Sequence, residues 1–284
     1  MIERKLEWID YKYEDIGMWL VIFSVFFYLS SLLLITPMLL KTQSGEQVQK
    51  PNQALFFSTS FLAIILHCFS LTDLFTQLIS GQNFTVTAIG SLISLIIAFL
   101  STSAMLLRIK TLWFLLPIIY SFAIMNVILA TLLPSHFLYH LSKNIALFIH
   151  VGLSLFTYSV CFIAALYSIQ IFWIDRSLKN KKLPFSPIIP PLMLVERHFF
   201  RLMLTGELLL TIVLISGSFH LAKDFAPQDI QKAVFSFLAW CVFGIALIGH
   251  WKLYWRGKRI VIYAILGTTL LTIAYFGSRL MLEI

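Results

Sequence analysis

Apolar runs long enough to cross a bilayer follow one another along almost the whole chain, and they constrain its fold more than any other feature. A spanning helix needs about 20 mostly apolar residues. Because lipid offers no hydrogen bonds to the backbone, such runs fold as helices. The sequence predicts eight spans, over residues 16–40, 55–79, 85–107, 111–133, 145–173, 200–219, 232–252 and 260–281.

The composition excludes an ordinary water-soluble fold. Hydrophobic residues make up 59% of the chain and charged residues only 12%, whereas soluble domains carry about 25% charged residues. We therefore predict an all-α polytopic membrane bundle, in which residues 1–15 form a tail and residues 16–284 form a single transmembrane helical domain.

The distribution of basic residues predicts the orientation of the bundle. Lysines and arginines concentrate in the loops of one side, which are 41–54, 108–110, 174–199 and 253–259. The loops of the other side contain only Lys143 and Lys223. Since basic loops stay in the cytoplasm, both termini are expected outside, in a bacterial inner (plasma) membrane. Membrane orientation also explains the net charge of +8 without a nucleic-acid partner.

Histidines at membrane depth are candidate functional residues, because ionisable side chains are costly in lipid. His67 lies in the second span, His150 and His220 near the outer ends of the fifth and sixth, and His250 near the inner end of the seventh. Neutral imidazole is a good axial ligand for haem iron. Their expected depths in the bilayer would allow His150 to pair with His220, and His67 to pair with His250, as ligands of one haem. The alternative is that each imidazole hydrogen-bonds a carbonyl or a hydroxyl.

Glu207 lies about two turns into the sixth span, where an unpaired carboxylate would take up a proton. Its possible roles are a proton relay, a neighbour of a haem propionate, or a polar contact between helices. No GxSxG, HExxH, Walker or dinucleotide motif is present. The cysteines form no CxxC pair, and we expect no enzymatic activity.

Two stretches resemble a known family. The stretch from Ile149 to Ile171, IHVGLSLFTYSVCFIAALYSIQI, resembles the haem-handling core of the CcsA-type cytochrome c assembly proteins. The stretch from Ile248 to Leu280, IGHWKLYWRGKRIVIYAILGTTLLTIAYFGSRL, resembles their last two helices. The strings ALYSIQ, LKNKKL, PPLMLVER and AYFGSR are similar to the short HemX-like and YpjD-like branch. The resemblance covers about residues 16–281, with a CcsA-like core at about 55–281.

The resemblance implies roles for particular residues. His150 matches the family's outer haem ligand, His250 a membrane-embedded histidine before WRGKR, and His67 a histidine of the second helix. His220 matches no ligand position of the family, and its candidacy rests on depth alone. The basic residues expected to pair with haem propionates are Arg256 and Arg279.

One segment departs from the family. Members that present haem to apocytochrome carry an outer WGxxWxWD segment, and the corresponding interval here, SGSFHLAKDFAPQDIQKAVFSF, contains no tryptophan. Only Asp229 and Lys232 remain of the family's DPKE. The departure argues against haem delivery to cytochrome c but leaves haem binding in the membrane in place.

The sequence therefore predicts a membrane protein of the cytochrome c biogenesis superfamily that binds or passes non-covalent haem, or regulates a partner in haem metabolism. Its expected partners are haem, the bilayer and other membrane or haem-pathway proteins. One alternative is a transporter or channel for a small ion or metabolite, with Glu207 and His67 lining its path. Another is a non-catalytic interaction subunit that holds an enzyme through loop 174–199.

Overall fold

The structure is a computed structural model that describes residues 2–44, 52–80, 83–133, 138–140, 145–180, 190–223 and 227–277. Most of these residues are helical, which confirms the predicted all-α membrane bundle. The described helices are α1 (Ile2–Ser44), α2 (Gln53–Ser70), α3 (Thr72–Ser80), α4 (Val86–Leu106), α5 (Leu116–Leu132), α6 (Ile145–Lys179), α7 (Leu192–Lys223), α8 (Pro227–Leu253) and α9 (Lys258–Thr272).

Four short elements complete the described architecture. The strands β1 (Asn83–Thr85) and β2 (Leu138–His140) pair antiparallel, with Phe84 opposite Tyr139. A 3-10 helix, Lys110–Phe114, precedes α5, and a π-helical turn, Ile273–Gly277, follows α9. His140 is the last residue of β2.

Seven of the described helices contain segments long and apolar enough to cross a membrane, and α5 is a shorter apolar helix of 17 residues. The predicted fourth span is divided between the 3-10 helix and α5. Pro117 lies in the first turn of α5, where its missing N–H breaks no helical hydrogen bond. The eight predicted apolar segments are thus all helical, although their bounds differ.

The second predicted span, 55–79, is interrupted at Leu71 between α2 and α3. Near this break the hydroxyls of Ser70 and Thr72 donate to the carbonyl oxygens of His67 and Phe69. At the break the Leu71 N–H donates to the Cys68 carbonyl oxygen, three positions back rather than four as in an α-helix. The prediction of one continuous helix over 55–79 was wrong at this position.

The predicted loop 174–199 is shorter than expected. Helix α6 continues to Lys179 and α7 begins at Leu192. Pro191 precedes α7, and its carbonyl accepts from the N–H groups of Leu194 and Val195. A proline at this position suits a helix start, because no N–H is needed there. Residues 181–189 lie outside the described part of the chain.

The chain divides into two compact units, which we call unit 1 (Met1–Lys143) and unit 2 (Asn144–Ile284). In unit 1, α1 packs on α2 and α5, and α4 packs on the same two helices. In unit 2, α6 and α8 each pack on α7 and α9. Helix α1 is continuous from Ile2, so the predicted tail 1–15 is helical. The single domain predicted from residue 16 onwards stays a prediction.

Both units contain buried polar side chains. In unit 1, Ser31 donates to Thr59 over 2.9 Å, and the hydroxyls of Thr102 and Tyr120 lie 2.8 Å apart. In unit 2, the Tyr158 hydroxyl lies 2.9 Å from Thr272 Oγ1. Hydrogen bonds of this kind connect helices where lipid gives no hydrophobic drive for their association.

The orientation gives a first testable prediction. In a background without the native cysteines, Lys258→Cys is expected to react with a membrane-impermeant maleimide only after spheroplasts are permeabilised, because basic loops face the cytoplasm. Asn83→Cys, in the two-stranded sheet formed by β1 and β2, is the matched control and should react in intact spheroplasts. The reverse pattern of labelling would contradict the orientation.

Candidate functional site

His150 lies near the start of α6 and packs against α7. Its Nδ1 is 2.8 Å from Ser216 Oγ, and Ser216 Oγ donates to the Val213 carbonyl oxygen over 3.0 Å. A hydroxyl has one proton, so if Ser216 donates it to Val213, His150 Nδ1–H is the donor to Ser216. In a neutral imidazole the lone pair then lies on Nε2.

Gly217 leaves room for the His150 ring. A Cβ at Gly217 would lie 3.2 Å from His150 Cε1 and 3.7 Å from Nε2, so a larger residue would press on the ring. His220 follows Ser216 by one turn on the same helix face, but its side chain lies outside the described part of the structure. The predicted pairing of His150 with His220 therefore stays a prediction.

His250 lies in the last turn of α8, at the other end of unit 2. Its Nδ1 is 3.3 Å from the Trp255 carbonyl oxygen. Because a carbonyl only accepts, Nδ1 carries the proton and Nε2 again carries the lone pair. Phe200 of α7 stacks on the ring, with centroids 3.4 Å apart and planes 15° apart. One face of the imidazole is thus covered, and the side chain is half-buried.

Basic side chains surround the His250 end of unit 2, which we call the basic end. Arg256 Nη2 donates to Glu196 Oε2 over 2.7 Å, and the Arg256 side chain is 57% exposed. The other exposed basic residues there are Arg197, Arg201, Lys252, Lys258 and Arg259. Anionic groups such as carboxylates are therefore attracted to this end. The role of Arg256 towards propionates stays a prediction, and Arg279 lies outside the described residues.

A small recess lies beside the basic end. Its lining includes Ser168, Glu196, Phe200 and Gly257, and it has room for about one water molecule. A tetrapyrrole bound to His250 would therefore lie on the lipid-facing surface of α7 and α8 rather than in this recess.

His67 has a different environment in unit 1. The side chain is fully buried, at 0% exposure. Its Nδ1 lies 3.3 Å from Tyr28 Oη, and its Nε2 lies 2.9 Å from Ser91 Oγ. Both ring nitrogens are thus engaged by hydroxyls, as the non-haem alternative in the sequence analysis envisaged. Iron ligation by His67 would require loss of the bond to one hydroxyl, and it stays an untested prediction.

His150 and His250 lie at different depths in unit 2. Ser216 contacts His150, and Phe200 contacts His250, so these residues mark the two levels on α7. Their separation of 16 positions corresponds to about 24 Å along the helix axis. The axial ligands of one haem lie on opposite sides of a single flat ring, so His150 and His250 cannot bind the same iron.

The described residues contain no cluster of three or more histidine, cysteine, aspartate or glutamate side chains that could hold a metal ion. The imidazole nitrogens of His150 and His250 are donors of the kind that haem iron accepts as axial ligands.

Sequence reasoning did not find Ser216, Gly217, Phe200 or the Trp255 carbonyl. The partner of His150 is 66 positions away along the chain, so no local motif connects the two. The adjacent Ser216 and Gly217 were the available signal, since a small residue beside a hydroxyl is typical of a close contact between membrane helices.

The fold and these side chains define a class of protein, namely polytopic helical membrane proteins with hydrogen-bonded histidines at both ends of one helical unit. The sequence profile described as "Cytochrome C assembly protein" matches residues 18–284. The chain belongs to this family, which is related to haem handling, and the predicted resemblance is confirmed.

Named relatives agree with the family assignment. The chain is similar to "Inner membrane protein YpjD" of Escherichia coli K12, with 39% identity over 258 residues, 90% of this chain and 95% of that protein. It is also similar to the "Uncharacterized 28.8 kDa protein in nifR3-like 5'region" of Azospirillum brasilense, with 27% identity over 139 residues, 48% of this chain and 51% of that protein. No solved structure matches the chain. The predicted location, a multi-pass protein of a bacterial inner membrane, is confirmed.

Proposed function

We propose that the chain binds haem non-covalently through His150 and His250 and holds it or passes it on without forming covalent bonds itself. One observation carries the proposal. At both histidines the protein engages Nδ1, through Ser216 in one case and the Trp255 carbonyl in the other. This arrangement directs the lone pair to Nε2 and is the usual outer-shell support of a histidine that ligates a metal.

The two ends of unit 2 would then bind haem separately. Bound haem supplies an iron centre whose redox state and ligands can change. At the basic end, the unengaged donors of the exposed Arg256 and the neighbouring Arg201 suit propionate carboxylates. At the opposite end, Ser216 contacts His150 Nδ1, and Gly217 leaves room for the ring.

The missing tryptophan-rich segment refines the proposal. The interval between α7 and α8 and the start of α8 contain none of the tryptophans that family members present at the outer surface. Tryptophan faces are large, flat surfaces suited to aromatic ligands. We therefore favour storage, transfer between membrane proteins or regulation over delivery to an apocytochrome.

The test is the absorption spectrum of the protein purified with haem supplied. Wild type should show a Soret band. His150→Ala and His250→Ala should each reduce the haem content by about half, because each variant loses one of the two sites. Mutating a residue that hydrogen-bonds a metal ligand typically lowers the affinity for the metal by about 10–100-fold, and removing the ligand itself should lower it at least as much. The double variant should lose haem binding.

His198→Ala is the matched control, because His198 lies on α7 at the same end as His250 and is no proposed ligand. It should retain the wild-type haem content. If the spectra of wild type, both single variants and the double variant are the same, the proposal is wrong. If wild type shows no Soret band but moves a small solute into liposomes, the transporter alternative takes its place.

A further inference from the structure

Glu207 is an acidic side chain at mid-depth in unit 2 that the proposed haem sites do not use. It lies 15 positions from the start of α7 and 16 from its end, which is more than about 20 Å from either end. The neighbouring Leu208 and Ile212 are 59% and 52% exposed. Glu207 thus lies beside the lipid-facing surface of α7.

The Glu207 carboxyl is shielded and lacks a hydrogen-bonding partner. Oε2 is buried and has no hydrogen bond in the described part of the structure. On α8, a Cβ at Gly244 would be 3.3 Å from Glu207 Oε1, so the glycine leaves space for the carboxyl. The ion pairs of the described chain join Arg256 to Glu196 and Lys179 to Asp175, and neither involves Glu207.

The groups that face Glu207 do not balance a negative charge. From α6 the facing titratable group is Cys161, which packs against Gly206. From α8 the facing residue is Gly244, and Cys241 lies one turn before it. Thr211 donates to the backbone carbonyl of Glu207 over 2.8 Å rather than to its carboxyl. The nearest basic residue on α7 towards the basic end, Arg201, is about 9 Å away along the axis.

These observations separate the possible roles of Glu207. A polar contact between helices would give the carboxyl a partner, but Oε2 has none. A propionate neighbour would have to lie near a haem ligand, but Glu207 is nine positions from Ser216 and seven from Phe200, which is on the order of 10 Å from either level. A carboxylate without partners in lipid is strongly disfavoured and takes up a proton instead.

We propose that the Glu207 carboxyl is a proton-binding site within the bilayer. The carboxyl fits between α7 and α8 because Gly244 has no side chain. The carboxyl is protonated when α7 and α8 are packed as observed, and it releases the proton when the solution becomes alkaline. The bound species is a proton rather than a metal cation, because Glu207 belongs to no cluster of metal-ligating side chains among the described residues.

The test uses the full-length wild-type protein in membranes and dicyclohexylcarbodiimide, an apolar reagent that reaches protonated carboxyls from the lipid. The carboxyl oxygen adds to the central carbon of the reagent and its proton moves to a nitrogen, after which the adduct rearranges to a stable N-acylurea. Peptide mass spectrometry should find this adduct on Glu207. Once the carboxyl is mostly ionised, its labelling should fall by about tenfold for each further pH unit.

Glu196 is the internal control, because its carboxylate is paired with Arg256 and should label weakly at every pH. Glu207→Gln should lose the adduct, whereas Glu196→Gln should keep it. A water-soluble carbodiimide should label Glu207 much less than the apolar reagent. Absence of the Glu207 adduct at acidic pH, or labelling that does not change between about pH 5 and about pH 10, would overturn the proposal. Protection by sodium at constant pH would replace the proton by a cation.

Discussion

Replacing His67 with alanine is expected to destabilise unit 1 by on the order of 3 kcal/mol. The imidazole is fully buried, so its removal leaves a cavity. It also leaves Tyr28 Oη and Ser91 Oγ without the ring nitrogens they now contact. Hydrogen bonds between membrane helices contribute about 0.6 kcal/mol on average, so the cavity accounts for most of the loss.

Thermal unfolding of the purified protein in detergent measures this effect. Leu62→Ala is the matched control, because Leu62 lies on the same helix but is 39% exposed, and truncation there leaves no closed cavity. Ser91→Ala should remove one hydrogen bond and cost about 1 kcal/mol. If His67→Ala were as stable as Leu62→Ala, the structural role of His67 would be excluded.

The same variant separates a structural histidine from a haem ligand. If His67 serves only the packing of α1, α2 and α4, the folded fraction of His67→Ala should bind as much haem as wild type. A loss of haem from protein that is still folded would instead support the predicted ligand role of His67. Haem content is therefore compared only at temperatures at which both proteins are folded.

The sequence allowed the fold class and the helices that carry His150 and His250 to be predicted. Both predictions depend on a local comparison, namely whether an apolar run is long enough as a helix to cross the hydrocarbon core of the bilayer. The basic residues that follow His250 placed this histidine near the cytoplasmic end of its span. Counting residues along the fifth span placed His150 near the opposite end.

The break at Leu71 and the partners of the histidines could not be predicted in the same way. The break is a local change from α-helical hydrogen bonding at Leu71, and it lies inside an apolar run of the length that predicts one helix. The difference between His67 and His150 depends on contacts between helices. The ring nitrogens of His67 meet hydroxyls 39 and 24 positions away, and residue spacing carries no information on such pairs.

Replacing Gly249 with alanine is expected to disrupt the turn between α8 and α9. A Cβ at Gly249 would lie 2.3 Å from Trp255 Cε3 and 2.6 Å from Cδ2. The indole cannot retreat easily, because it stacks on Tyr263 and the Trp255 N–H donates to the Gly249 carbonyl. Overpacking of this kind costs about 1–3 kcal/mol, which thermal unfolding in detergent would measure.

The displacement also reaches the proposed haem site. The Trp255 carbonyl accepts from His250 Nδ1, so a shifted tryptophan no longer holds the imidazole in place. The affinity for haem at the basic end should therefore fall by about 10-fold or more.

Gly152→Ala on α6 is the control, because nothing lies within 4 Å of a Cβ there. Since alanine favours a helix over glycine by about 1 kcal/mol, that variant should be slightly more stable and keep its haem. Equal stability of the two variants would show that the contact between Gly249 and Trp255 does not hold the turn. Unchanged haem binding in a destabilised Gly249→Ala protein would show that His250 does not depend on Trp255.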